Sequence, residues 1–87
     1  MGLKDYEIEV LKRMYDNDLI EYNYKPIEQV ASIINWREIA STYGVKKKFK
    51  GIIKHLITKK YIDDHSKSGA AASLTKKAVL FVEGLIS

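Results

Sequence analysis

The chain has 87 residues, 46% of them hydrophobic and 30% charged, with no cysteine and a formal charge of +4. That length supports one modest core, the balance of apolar and charged residues argues against disorder, and the lack of cysteine excludes a disulfide framework or a thiolate metal site. The charge is unevenly placed: residues 1–45 hold five basic and eight acidic side chains (−3), residues 46–87 ten and three (+7), so a directed anionic partner is favoured over general solubility.

The N-terminal segment MGLKDYEIEV is charged and lacks the apolar core of a signal peptide, and the most apolar stretch, Ala78 to Ile86, is too short to span a bilayer. A soluble cytoplasmic protein with no membrane partner is expected. The first helix is placed at 5–17, with Asp5 as its cap, Glu7 and Glu9 favourable in the first turn, and Ile8, Leu11 and Tyr15 in an apolar stripe flanked by Val10 and Met14. Asp16-Asn17-Asp18 ends it. Tyr22 and Tyr24 then read as exposed. Pro26 suits a first helical turn, and Ile27, Val30, Ala31 and Ile34 repeat at i, i+3, i+4, i+7, giving a short helix at 26–34, with a strand as the competing reading.

Asn35 can accept from the Glu38 amide while Glu38 reaches back, a capping box that opens a helix at 36–43. Trp36, Ile39, Ala40 and Tyr43 form its apolar face, with Trp36 and Ile39 expected to be buried, and Gly44 offers a left-handed stop. The next segment, KKKFKGIIKHLITKK, carries seven lysines and no acid. Read as one helix over 46–60, it places Phe49, Ile52, Ile53, Leu56 and Ile57 on one face and Lys46, Lys47, Lys50 and Lys54 on the other. Such a row of ammonium groups suits a polyanion, since each lysine near a phosphate releases condensed counterion; a plainly solvated helix face is the alternative. Tyr61 to His65 is β-compatible, 66–69 is a turn, and Ala70 to Leu74 can return as a second strand, making a two-stranded unit over 61–74. Thr75 reads as the N-cap of a last helix at 76–86.

REIASTYGV (37–45), KKKFKGIIKHLITKKYI (46–62) and SLTKKAVLF (73–81) together resemble the winged helix-turn-helix family. The first is similar to the opening helix of the motif and its turn. The second is similar to a recognition helix ending in the family's L-x-x-K-G-[YL]-I pattern, with Lys60 in place of the glycine. The third is similar to the LT-x-x-G that closes the wing in PadR- and MarR-like regulators, with Ala78 in place of the glycine. The match covers about residues 35–87, and the helix at 26–34 lies outside a minimal winged helix. The lysine-, isoleucine- and tyrosine-rich composition also resembles small regulators of thermophilic archaea and their viruses.

The resemblance implies an α+β, mostly helical fold with a two-stranded wing and a C-terminal helix, and a dimeric transcription regulator that binds double-stranded DNA selectively by sequence or shape. It implies DNA contacts from Lys46, Lys47, Lys48, Lys50 and Lys54, which fall at the N-terminal part of a recognition helix, and from Lys67, with His65, at the wing. The helix contains no Arg, Asn or Gln for bidentate base reading, so backbone binding with modest specificity is expected. His55 can reach a base or serve as a partly buried structural histidine. A winged helix used for protein contacts in a larger complex is the alternative reading, in which Trp36, Tyr22 and Tyr24 matter more; RNA is a third.

Catalysis is not expected. Asp63 and Asp64 are adjacent and face opposite sides of a strand, the two histidines lack metal-ligand spacing, and neither a phosphate loop nor a nucleophile elbow is present. No metal, cofactor or small-molecule ligand is indicated. The last helix is apolar around most of its circumference, so Val79, Phe81, Val82, Leu85 and Ile86 are read as a homodimer interface. The alternative is that the first helix and the helix at 26–34 cover them within one chain.

Overall fold

A short strand from the first third of the chain joins two strands from the last third in one small sheet. The structure, a computed structural model, describes residues 2–64 and 71–86. In chain order these form α1 (Asp5–Asp16), β1 (Lys25–Pro26), α2 (Ile27–Ile33), α3 (Trp36–Tyr43), α4 (Phe49–Thr58), β2 (Ile62–Asp64), β3 (Ala71–Leu74) and α5 (Lys76–Ile86). The sheet is antiparallel in the order β1-β3-β2, with Lys25 opposite Ala72 and Asp63 opposite Ser73. The fold is α+β and mostly helical.

α1 starts one residue earlier in capping terms than the sequence suggests. Lys4, not Asp5, is the N-cap, and its backbone N–H donates to Glu7 Oε1 at 2.9 Å. Arg13 on the same helix is 2.7 Å from Glu9 and 2.8 Å from Glu38, and also donates to the Ile34 carbonyl at 3.0 Å. This side chain clamps α1 to the junction of α2 and α3. It also explains why the expected capping box is absent. Asn35 sits in the left-handed region at φ 56° and has no side-chain cap bond; its backbone carbonyl accepts from the Glu38 N–H, and the Glu38 carboxylate goes to Arg13.

The helix expected at 26–34 is shorter, because Lys25 and Pro26 pair with β3 instead. Proline has no N–H to donate and is accommodated on this edge strand. The wing region therefore carries three strands rather than two. The lysine segment is also corrected: α4 spans only Phe49–Thr58 with Lys48 as its N-cap, so Lys46, Lys47 and Lys48 lie before the helix. Gly44, at φ 66°, ends α3 as expected, and the Val45 N–H closes on the Ala40 carbonyl.

The core is built from Val10, Leu11 and Met14 of α1, Ile39 of α3, Ile52, Ile53 and Leu56 of α4, and Ile62, Leu74, Ala78 and Val82 from the C-terminal part, each 2% exposed or less. Trp36 is half-buried on Phe49, with ring centroids 5.0 Å apart. Thr75 fastens the last helix as its side chain was expected to. Its Oγ1 accepts from the Ala78 N–H at 3.2 Å and donates to the Lys60 carbonyl at 2.8 Å.

The apolar circumference of α5 is partly covered within the chain. Val82 is 1% exposed and belongs to the core, which removes it from the expected dimer interface. α1 packs alongside, with the Tyr15 hydroxyl donating to Glu83 at 2.9 Å. Val79 and Phe81 are partly buried, Phe81 against the Tyr61 ring. Leu80, Leu85 and Ile86 stay exposed. Among the described residues no helix is long and apolar enough to cross a membrane.

Candidate nucleic-acid interface

The amphipathic pattern of α4 divides its residues cleanly. Phe49, Ile52, Ile53 and Leu56 are buried, with β2 packed on the helix and Trp36 of α3 on Phe49, while Lys50, Gly51, Lys54 and His55 lie on the outer side. Because α4 begins only at Phe49, Lys46, Lys47 and Lys48 precede it in the α3–α4 turn, and all three are exposed. None of Lys46, Lys47, Lys48, Lys50 and Lys54 forms an ion pair among the described residues. Five ammonium groups within nine residues, none of them in an ion pair among the described residues, make this stretch an electropositive ridge.

Gly51 occupies the middle of this ridge. It is exposed, and a Cβ built on it meets nothing within 4 Å. The fold itself does not call for a glycine there. Its effect is a low point between flanking lysines, where a large polyanion can come close to the helix backbone.

His55 is held by α1. Its Nδ1 lies 2.6 Å from Glu7 Oε2, and Glu7 is only 1% exposed. Burial pushes the Glu7 carboxyl up; the Lys4 backbone N–H, the His55 ring and the charge of Lys59 more than offset this, leaving it below its ordinary value. An ionised carboxylate only accepts, so Nδ1 carries the proton in this contact. About half of the His55 side chain still faces solvent. The histidine therefore fixes α4 to α1 and keeps an exposed edge beside Lys54.

Residues that sequence reasoning passed over join the ridge at its start. An open groove of about 370 Å³ runs between the α1 N-terminus and the α3–α4 turn, where Lys4, Tyr6 and Tyr43 meet Lys46 and Lys47. Neither tyrosine carries a motif, and Tyr6 and Lys4 lie some forty positions away in sequence, so only the tertiary fold brings them here. Lys67 and His65 lie outside the described residues. Among the described residues no group of three or more His, Asp or Glu side chains is arranged to hold a metal. The chain matches no protein-family model, no curated protein and no solved structure in comparisons with each.

Proposed function

We propose that this chain is a winged helix-turn-helix protein that binds double-stranded DNA with α4 as its recognition helix, and that it acts as a dimeric transcription regulator. The observation that carries the reading is the ridge of five unpaired lysines on the turn and first half of α4, backed by a helix whose opposite face is fully committed to the core. α3, the turn at Gly44 and α4 supply the two-helix unit, and β2, β3 and α5 follow in the order that the family resemblance implies. Lys46, Lys47 and Lys48 then lie at the N-terminal end of α4, the end that meets DNA in this motif, with Lys50 in its first turn and Lys54 about one turn further on. Gly51 allows the backbone close, and the family resemblance implies one further contact, from Lys67. Lysine serves phosphate better than base edges, so affinity is dominated by the DNA backbone, with selectivity drawn from duplex shape.

Duplex binding measured by fluorescence anisotropy across a range of salt concentrations tests this. The wild-type affinity falls steeply with salt, and the Lys47→Ala/Lys50→Ala double variant lowers the slope of log affinity against log salt by about 1–2 units, because up to two phosphate contacts are lost. An unchanged slope overturns the assignment of α4 to DNA.

A further inference from the structure

On the outer face of the sheet, Glu21, Tyr22, Asp63, Ser73, Thr75 and Lys76 line an open cavity of about 270 Å³. Two independent features make it more than a surface dent. The first is its floor. Ile62 and its partner Leu74 face the core, so by strand alternation Asp63 and its partner Ser73 project to the opposite face, towards the cavity. Ser73 is 0% exposed, and its hydroxyl is buried without a hydrogen-bond partner. A native protein rarely leaves a buried hydroxyl unsatisfied, and such a group beneath a cavity has the character of a ligand contact.

The second is the rim. Glu21 is tied to the sheet by its backbone, its N–H donating to the Leu74 carbonyl at 2.9 Å. Glu21 and Tyr22 both have positive φ, 22° and 55°, a costly conformation for side-chain-bearing residues that is held here by the flanking bonds. It leaves Tyr22 85% exposed beside the cavity. The Asp63 carboxylate accepts from the Tyr24 hydroxyl at 2.5 Å, and that phenol is raised by this bond, by burial and by the charges of Asp63 and Asp64. Among the lining residues two carboxylates, Glu21 and Asp63, stand against one cation, Lys76.

We propose that this cavity binds an organic ammonium group, seated between the carboxylates of Glu21 and Asp63 with the Ser73 hydroxyl as acceptor beneath it and the Tyr22 ring flanking it. A primary ammonium matches the set: three donors meet two carboxylates and one hydroxyl, and an exposed phenol face adds cation–π attraction. Two carboxylates among the lining residues suit an amine better than a divalent ion, which demands more oxygen ligands. The site shares no lining residue with the lysine ridge and stands independently of DNA binding. The ammonium can be that of a small diamine or of a lysine on another chain.

The test is an amide-resolved NMR titration of the full chain with putrescine, with sodium chloride matched for ionic strength and butyrate as the charge-reversed comparison. Saturable shifts confined to residues 21–22, 63 and 73–76 are expected, with no such response to butyrate. Glu21→Gln, an exposed and structurally inert change, weakens binding about ten-fold, the loss of one charge-assisted hydrogen bond. Ser73→Ala weakens binding yet raises the melting temperature, since it removes an unsatisfied buried hydroxyl; a merely structural serine would not move the two in opposite directions. Tighter binding of putrescine than of Nα-acetyl-lysinamide assigns the site to a free amine, and the reverse order assigns it to a protein lysine. Shifts that spread over the surface without saturating, or that titrate with wild-type affinity in Glu21→Gln, overturn the proposal.

Discussion

Glu7 shows how much one buried carboxylate can organise. It accepts from the Lys4 N–H and from the His55 ring, so it caps α1 and fastens α4 with a single side chain. Its lowered titration means that the unfolded chain takes up the proton first on acidification. Stability from this group is complete above the ordinary carboxylate value of 4.5 and is lost as pH falls through the lower folded value. Glu7→Gln should therefore cost about 1–3 kcal/mol at neutral pH and flatten the acid limb of a chemical-denaturation profile; an equally steep limb would place the acid sensitivity elsewhere. Gly51 offers the complementary case. Gly51→Ala should raise stability by about 0.5–1 kcal/mol, since alanine is the better helix former and the added methyl meets open space. In duplex titrations it should weaken binding several-fold if DNA approaches the α4 backbone; undiminished affinity would mean that contact is through lysine tips alone.

The elements were legible where hydrophobic period and punctuation agreed. α3 and α5 fall on the expected bounds, because Gly44 and Thr75 act locally. Lysine carries no such information. It is equally at home in a helix or a turn, so the run from Lys46 to Lys48 gave no sign that the helix begins only at Phe49. β1 was hidden for a different reason: two residues have no period, and Lys25 and Pro26 are a strand only because β3 lies beside them. The Asn35 box failed because Arg13, more than twenty positions away, takes the Glu38 carboxylate. Lys60 illustrates the opposite outcome. It stands where the resemblance places glycine and adopts φ 72°, the conformation glycine favours. Lys60→Gly should stabilise the fold by about 1 kcal/mol, the cost of left-handed backbone for an L-residue, read as a higher melting temperature. A lower one would show that the lysine side chain compensates for its backbone.

For the molecule as a whole, the lysine ridge could be read from the sequence as a charge pattern, while the groove with Tyr6 and Tyr43 and the cavity over Ser73 could not, being assembled from distant segments. The expected dimer surface shrinks once Val82 is seen in the core. What remains on α5 is Leu80, Leu85 and Ile86, with Val79 and Phe81 half-covered. Leu85→Asp should accordingly convert a dimer to monomer in sedimentation equilibrium without lowering the melting temperature, as the side chain is already about half exposed. A wild-type chain that sediments as monomer at micromolar concentration would leave the exposed end of α5 without a second copy. The placement of β3 has a kinetic consequence. It is the central strand, it holds β1 on one side and β2 on the other, and its Leu74 bonds back to Leu19 and Glu21. The acidic half of the chain thus has no sheet to join until nearly the last fifth of the sequence exists. A ribosome making this protein carries α1, α2 and the lysine segment without their central strand, so folding waits for β3 and then proceeds as one event. Fragments 1–44 and 45–87 should each be unstructured alone and regain helical signal only when mixed.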